Sequence, residues 1–171
     1  NQYISEKTKQ FDTKRYKKMS KSTILLVLFA CLCLSEALKI NLCQQRTAAT
    51  IESVAVSGCT EFPCILKKDS NPAIEMSFKM KRRVNDLKLK IAGRINGREI
   101  PFSVDDTNHC KTSVEGITNR CSLSKNTSYN YKFSLPILKE YPSLMVVVKY
   151  ELVDLKGRSV ACFTFPAKIE E

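Results

Sequence analysis

Tryptophan is absent from this chain, histidine occurs once, at His109, and glycine only five times. No two cysteines have CxxC spacing, and a single histidine cannot make HExxH or HxxxH, so the ligand sets that hold zinc are missing. Neither a GxSxG elbow nor a glycine-rich phosphate loop occurs, which removes the usual marks of a hydrolase or a nucleotide enzyme. The longest apolar run, residues 24–34, is too short to cross a hydrocarbon core about 30 Å thick. No stretch has a convincing amphipathic helical period. With no catalytic constellation and no cofactor motif, the chain is expected to be a non-enzymatic binding protein without a cofactor.

What is present begins with a leader. Residues 1–18 are polar and basic and precede the first methionine, Met19, so they read as an upstream extension outside the native protein. From Met19 a basic Lys21, the apolar run and the small residues Ser35 and Ala37 match a secretory signal over residues 19–37, cleaved after Ala37. The mature domain is then residues 38–171, in a secreted protein that works outside the cell or in the lysosomal lumen. It keeps 21 basic and 14 acidic residues, a net charge of +7, part of it in the cluster Lys79, Lys81, Arg82 and Arg83. That charge reads first as a solvated face, and second as a means of meeting an anionic membrane or an acidic partner. An exported chain without a matching motif has no nucleic-acid partner.

Of the eight cysteines, Cys31 and Cys33 leave with the signal, and six remain. An even number in an exported chain implies three disulfides, for which fifteen pairings exist. The close spacings point to Cys59–Cys64 and Cys110–Cys121, leaving Cys43 to meet Cys162. Closing so long a loop contributes about 4 to 5 kcal/mol on the chain-entropy model.

Alternation sets the fold class. Ile74, Met76, Phe78 and Met80 alternate with polar residues, as do Leu87, Leu89 and Ile91 with Lys88 and Lys90. Asn96-Gly97 is the strongest hairpin signal, and residues 98–104 return from it, with Pro101-Phe102 where pairing is expected to fray. Residues 105–121 are polar, without period, and stapled by their own cysteines; His109 there reads as an exposed loop residue. Asn126-Thr127-Ser128 is an N-glycosylation sequon in a turn. Residues 144–153 form a nearly continuous apolar run with Lys149 and Glu151 on one face, and residues 159–169 close the set. About seven short strands and no helix give an all-β chain, a two-sheet antiparallel immunoglobulin-like β-sandwich. The missing tryptophan argues against an immunoglobulin domain proper.

Residues 129–142, YNYKFSLPILKEYP, hold a strand and its break. Tyr129, Tyr131, Phe133 and Leu135 share one face until Pro136, which has no N–H for a ladder. Ile137 and Tyr141 continue the apolar character beyond it. They either plug an edge of the core or line the mouth of a cavity.

The cysteine order together with GCTEFPCIL, GRINGREIPF, Asn108-His109-Cys110-Lys111, LPILKEYPS and SVACFTFPAKI resembles the MD-2-related lipid-recognition (ML) family. The similarity is greatest to its Niemann-Pick type C2 sterol-carrier branch and to the group 2 mite allergens, and it spans essentially the whole mature chain. It implies a sandwich whose sheets splay around an internal apolar cavity, with three disulfides in the pattern above. It also implies that Phe102, Ile137 and Tyr141 border the pocket entrance, so the cavity-mouth reading of Ile137 and Tyr141 gains over the plug. Phe78, Leu89, Ile91, Tyr131, Phe133, Val147 and Phe163 are strand candidates for wall or core. The implied function is carriage or transfer of a sterol or similar lipid, with an anionic membrane surface or a membrane sterol receptor as partner. The alternative on the same scaffold is recognition of a glycolipid or a protein partner, using the basic cluster and the Cys110–Cys121 loop.

Overall fold

A computed structural model describes residues 40–102, 104 and 107–171 of the chain. The upstream extension and the signal segment lie outside the described residues. Among the described residues nine strands form: β1 (Asn41–Leu42), β2 (Ala49–Val56), β3 (Cys64–Lys67), β4 (Ala73–Met80), β5 (Lys88–Ile95), β6 (Arg98–Phe102), β7 (Ser128–Ser134), β8 (Met145–Val153) and β9 (Ser159–Glu170). A short helix, α1 (His109–Ser113), lies between β6 and β7. The six-stranded sheet has the order β1-β9-β8-β5-β6 with β3 also on β9, and it faces a three-stranded sheet ordered β2-β4-β7.

Local chemistry accounts for most of this. Asn96 and Gly97 both take positive φ, 49° and 81°, which is what the two-residue turn joining β5 to β6 demands. In β4 the residues at 74, 76, 78 and 80 are buried, and their partners in β7 fall opposite them, Ile74 to Phe133 and Phe78 to Tyr129. Within the six-stranded sheet, Tyr150 of β8 stacks on Phe163 of β9 and Phe163 on Phe165, with centroids 5.3 and 6.1 Å apart. The three disulfides join Cys43 to Cys162, Cys59 to Cys64 and Cys110 to Cys121, with Cα separations of 5.4, 5.1 and 5.7 Å.

Three expectations need correction, and one strand was not foreseen. Pairing does not fray at Pro101: Pro101 lies opposite Ala92 and Phe102 opposite Ile91, because β6 is an edge strand and only one of its sides needs a ladder. Residues 64–67, to which no period assigned a strand, form one that runs parallel to β9, from Cys64 opposite Ala167 to Lys67 opposite Glu170. The segment between Cys110 and Cys121 is not wholly irregular, since Asn108 caps α1 by accepting from the Cys110 amide at 3.0 Å. His109 on that helix is buried, at 1% exposure, instead of solvated.

Candidate functional site

Pro136 interrupts β7, but backbone bonding resumes around it. The Leu135 amide donates to the Pro72 carbonyl and the Ile137 amide to that of Ser70, both at 2.9 Å, while the Asp69 amide donates to the Ile137 carbonyl at 2.8 Å. These bonds hold Ile137 facing inward, 4% exposed. A turn closed by the Tyr141 amide on the Leu138 carbonyl then carries Tyr141 back across the opening. Its ring meets that of Phe102 at 5.2 Å between centroids, tilted by 53°. Two segments far apart in sequence thus form one aromatic rim.

Behind the rim is a cavity of about 340 Å³. Its walls come from both sheets: Ile91, Val146 and Val148 from β5 and β8, Leu66 and Ile169 from β3 and β9, and Phe133 from β7. The segment 134–137, with Val104 and Phe102, completes it. Among the described residues no charged side chain lines it, and its polar side chains, Asn71, Ser134 and Tyr141, are exposed or half-buried at the opening. Partial burial, with the neighbouring Glu140 carboxylate second, raises the Tyr141 phenol, so it stays neutral. An enclosure that is apolar within and polar only at its lip suits a largely apolar molecule with few polar groups.

The structure brings Phe102, Phe133, Ile137 and Tyr141 together on this cavity and leaves three other candidates off it. Phe78 is fully buried against Tyr129, with ring centroids 6.2 Å apart. Tyr131 is in the core, where its hydroxyl accepts from Tyr150 at 3.0 Å and lies 3.4 Å from His109 Nδ1. Val147 is half-buried on the opposite face of β8, since Val146 and Val148 take the cavity side and strand alternation turns every second residue away. Its phase with Lys149 and Glu151 carried that information in the sequence. Among the other wall-or-core residues, Ile91 lines the cavity, whereas Leu89 and Phe163 are core. Sequence reading missed Val146 and Val148, which the same alternation would have found, and Leu66, Asn71 and Ile169, which come to the site through long-range pairing.

The sequence model of the ML domain matches residues 37–169. The chain belongs to the ML-domain family. It is 34% identical over 136 residues to the NPC intracellular cholesterol transporter 2 homolog a of Drosophila melanogaster, covering 78% of this chain and 88% of that protein. It is 35% identical over 123 residues to the ecdysteroid-regulated 16 kDa protein of Manduca sexta, covering 71% and 81%. In three dimensions it is similar to a Niemann-Pick type C2 protein from the Japanese carpenter ant, with a TM-score of 0.68 and 23% identity over 77% of this chain and 99% of that one. The cavity and its aromatic rim thus lie within the span that matches the ML domain. Among the described residues, no helix is long and apolar enough to cross a membrane.

Proposed function

We propose that this ML domain is a secreted, non-enzymatic carrier that takes up one sterol, or a lipid of similar bulk, between its two sheets. The observation that carries the reading is the apolar-walled cavity closed by the Phe102–Tyr141 rim, with Ile137 beneath it. The cholesterol-transporter relatives, 34% identical in the insect case, support the choice of ligand class. Covering about 400 Å² of apolar ligand surface at ~25 cal/mol per Å² is worth ~10 kcal/mol before the costs of ordering. That is enough to draw a lipid from water without a specific polar contact. Phe102, Ile137 and Tyr141 would border the entrance, Phe133 the wall. In this reading residues 19–37 are a signal removed on export and residues 38–171 the working domain. The positive surface would meet an anionic membrane or a membrane sterol receptor during transfer.

The glycolipid-recognition alternative gains no such support. Two members of the basic cluster it would use are occupied, Arg82 by Asp154 at 3.1 Å and Arg83 by Ser122 at 2.8 Å. Native mass spectrometry and organic extraction of the secreted protein, followed by displacement of a fluorescent sterol, separate the readings. One sterol per chain, displaced one for one, is the expected outcome. A protein that ignores sterols and takes acidic glycolipids in a salt-sensitive way would transfer the assignment to the alternative.

A further inference from the structure

Gly93 is buried in the middle of β5, opposite Val148 on β8 and Ile100 on β6. It occupies an inward position, in phase with Leu89 and Ile91, where a strand over a core ordinarily carries a β-branched or aromatic side chain. No positive φ accounts for it: the glycines of this chain that take left-handed backbone are Gly58, Gly97, Gly116 and Gly157. What accounts for it is room. A Cβ at position 93 would lie 2.9 Å from Cε2 and 3.2 Å from Cζ of Phe102, and 2.9 Å from Cγ2 of Val146. The Phe102 ring therefore rests across the bare backbone of Gly93. Its other neighbour is the Tyr141 ring, 5.2 Å away, and both Phe102 and Val146 line the cavity.

We propose that Gly93, which itself does not line the cavity, sets the width of its mouth by giving the Phe102 ring a seat, and so selects for ligands as broad as a fused-ring sterol over single-chain lipids. The inference rests on the carrier reading given above. Without the seat, the ring has to move toward Tyr141 or into the opening, and either shift narrows the passage between them. The atoms a new Cβ would strike are all ends of side chains, not backbone, so the fold can absorb an alanine by turning the Phe102 ring and the Val146 rotamer. A narrow acyl chain passes the reduced gap; a rigid ring system does not.

The test compares wild type, Gly93→Ala, Phe102→Leu and the double variant, each as the secreted mature protein, for binding of a fluorescent sterol and a fluorescent single-chain fatty acid. Gly93→Ala is expected to weaken sterol binding by about ten-fold or more while changing fatty-acid binding less than about two-fold. Phe102→Leu removes the ring that the alanine would displace, so in that background Gly93→Ala is expected to have little further effect, a coupling that two independent sites would not show. Equal sterol affinity in wild type and Gly93→Ala would overturn the inference while leaving the carrier reading intact, as would a parallel loss of both ligands. If Gly93→Ala does not fold, the comparison moves to Gly93→Ala with Val146→Ala, which frees one of the two contacts, measured against Val146→Ala alone, and the same two outcomes decide. A wild-type protein that binds neither probe overturns the carrier reading and this inference with it.

Discussion

The Tyr150 hydroxyl donates to the Tyr131 hydroxyl across 3.0 Å, joining β8 of one sheet to β7 of the other in the centre of the sandwich. Both residues are fully buried, and His109 Nδ1 stands 3.4 Å from the Tyr131 oxygen. Burial, reinforced by Tyr131, raises the Tyr150 phenol far above its ordinary range, so Tyr150 keeps its proton and remains the donor at any physiological pH. Tyr150→Phe removes this donor while keeping the ring that stacks on Phe163. The expected loss is about 1 to 2 kcal/mol in urea unfolding, with ligand affinity within about two-fold of wild type because neither tyrosine lines the cavity. A variant as stable as wild type would mean that the bond contributes nothing net.

Tyr141 is the converse case, a residue at the mouth with a small part in the core. Tyr141→Ala removes one half of the aromatic rim and leaves the strands untouched. Sterol affinity is expected to fall by about ten-fold, from lost apolar contact, while the unfolding midpoint moves by no more than a few degrees. Fluorescent-sterol titration and thermal unfolding of the same sample check the two halves separately. Unchanged affinity would remove the rim from the proposed binding site.

Asp154 predicts a pH dependence. Its side chain is buried at 8% exposure, which favours the neutral acid, but the Arg158 amide and guanidinium, Arg82 and the Lys156 amide outweigh that and hold the carboxyl down to about 2. Because the folded value lies below the ordinary carboxylate value of about 4, this group's stabilisation is complete above pH ~4 and is lost as pH falls through 2. The difference in stability between wild type and Asp154→Asn should therefore be constant from pH 7 to 5 and shrink between 4 and 2. Thermal midpoints of both proteins across that range give the answer. A difference that closes already at pH 5 to 6 would contradict the assignment.

Asn126 sits in an exposed turn with φ of 64°, a left-handed conformation that asparagine tolerates better than most residues. We expect a glycan on it in protein secreted from a eukaryotic host. Ser128→Ala destroys the sequon without disturbing that backbone, at the cost of one exposed hydrogen bond to Glu52. The mass shift on glycosidase treatment should be present in wild type and absent in Ser128→Ala. Equal masses before and after treatment of wild type would show the sequon unused.

Much of the sandwich was legible because its strands carry a two-residue period over a single buried face. The β4 and β7 patterns gave both the strands and the sides they present, and Asn96-Gly97 gave the hairpin, because each depends only on residues close in sequence. The same period, followed strictly along β8, separates Val146 and Val148 from Val147, so the misplaced wall residue was an error of phase that the sequence could have corrected. Strand β3 was not legible. Four residues after a tight loop have no period of their own, and they become a strand only because the end of β9 offers an open edge.

By itself the sequence determined the fold class, the six structural cysteines and the residues beyond Pro136 as something other than a strand. Tertiary structure decided what those residues do. Ile137 and Tyr141 could plug a core or rim a cavity with equal chemical sense, and the choice depends on where Phe102 stands, 39 residues earlier in the chain than Tyr141. It depends equally on the bare backbone of Gly93, whose lack of a side chain has meaning only when a distant ring is laid across it. Alternation is a local property and survives in one dimension. The width of a cavity is set by groups brought together from both sheets, and only their packing fixes it.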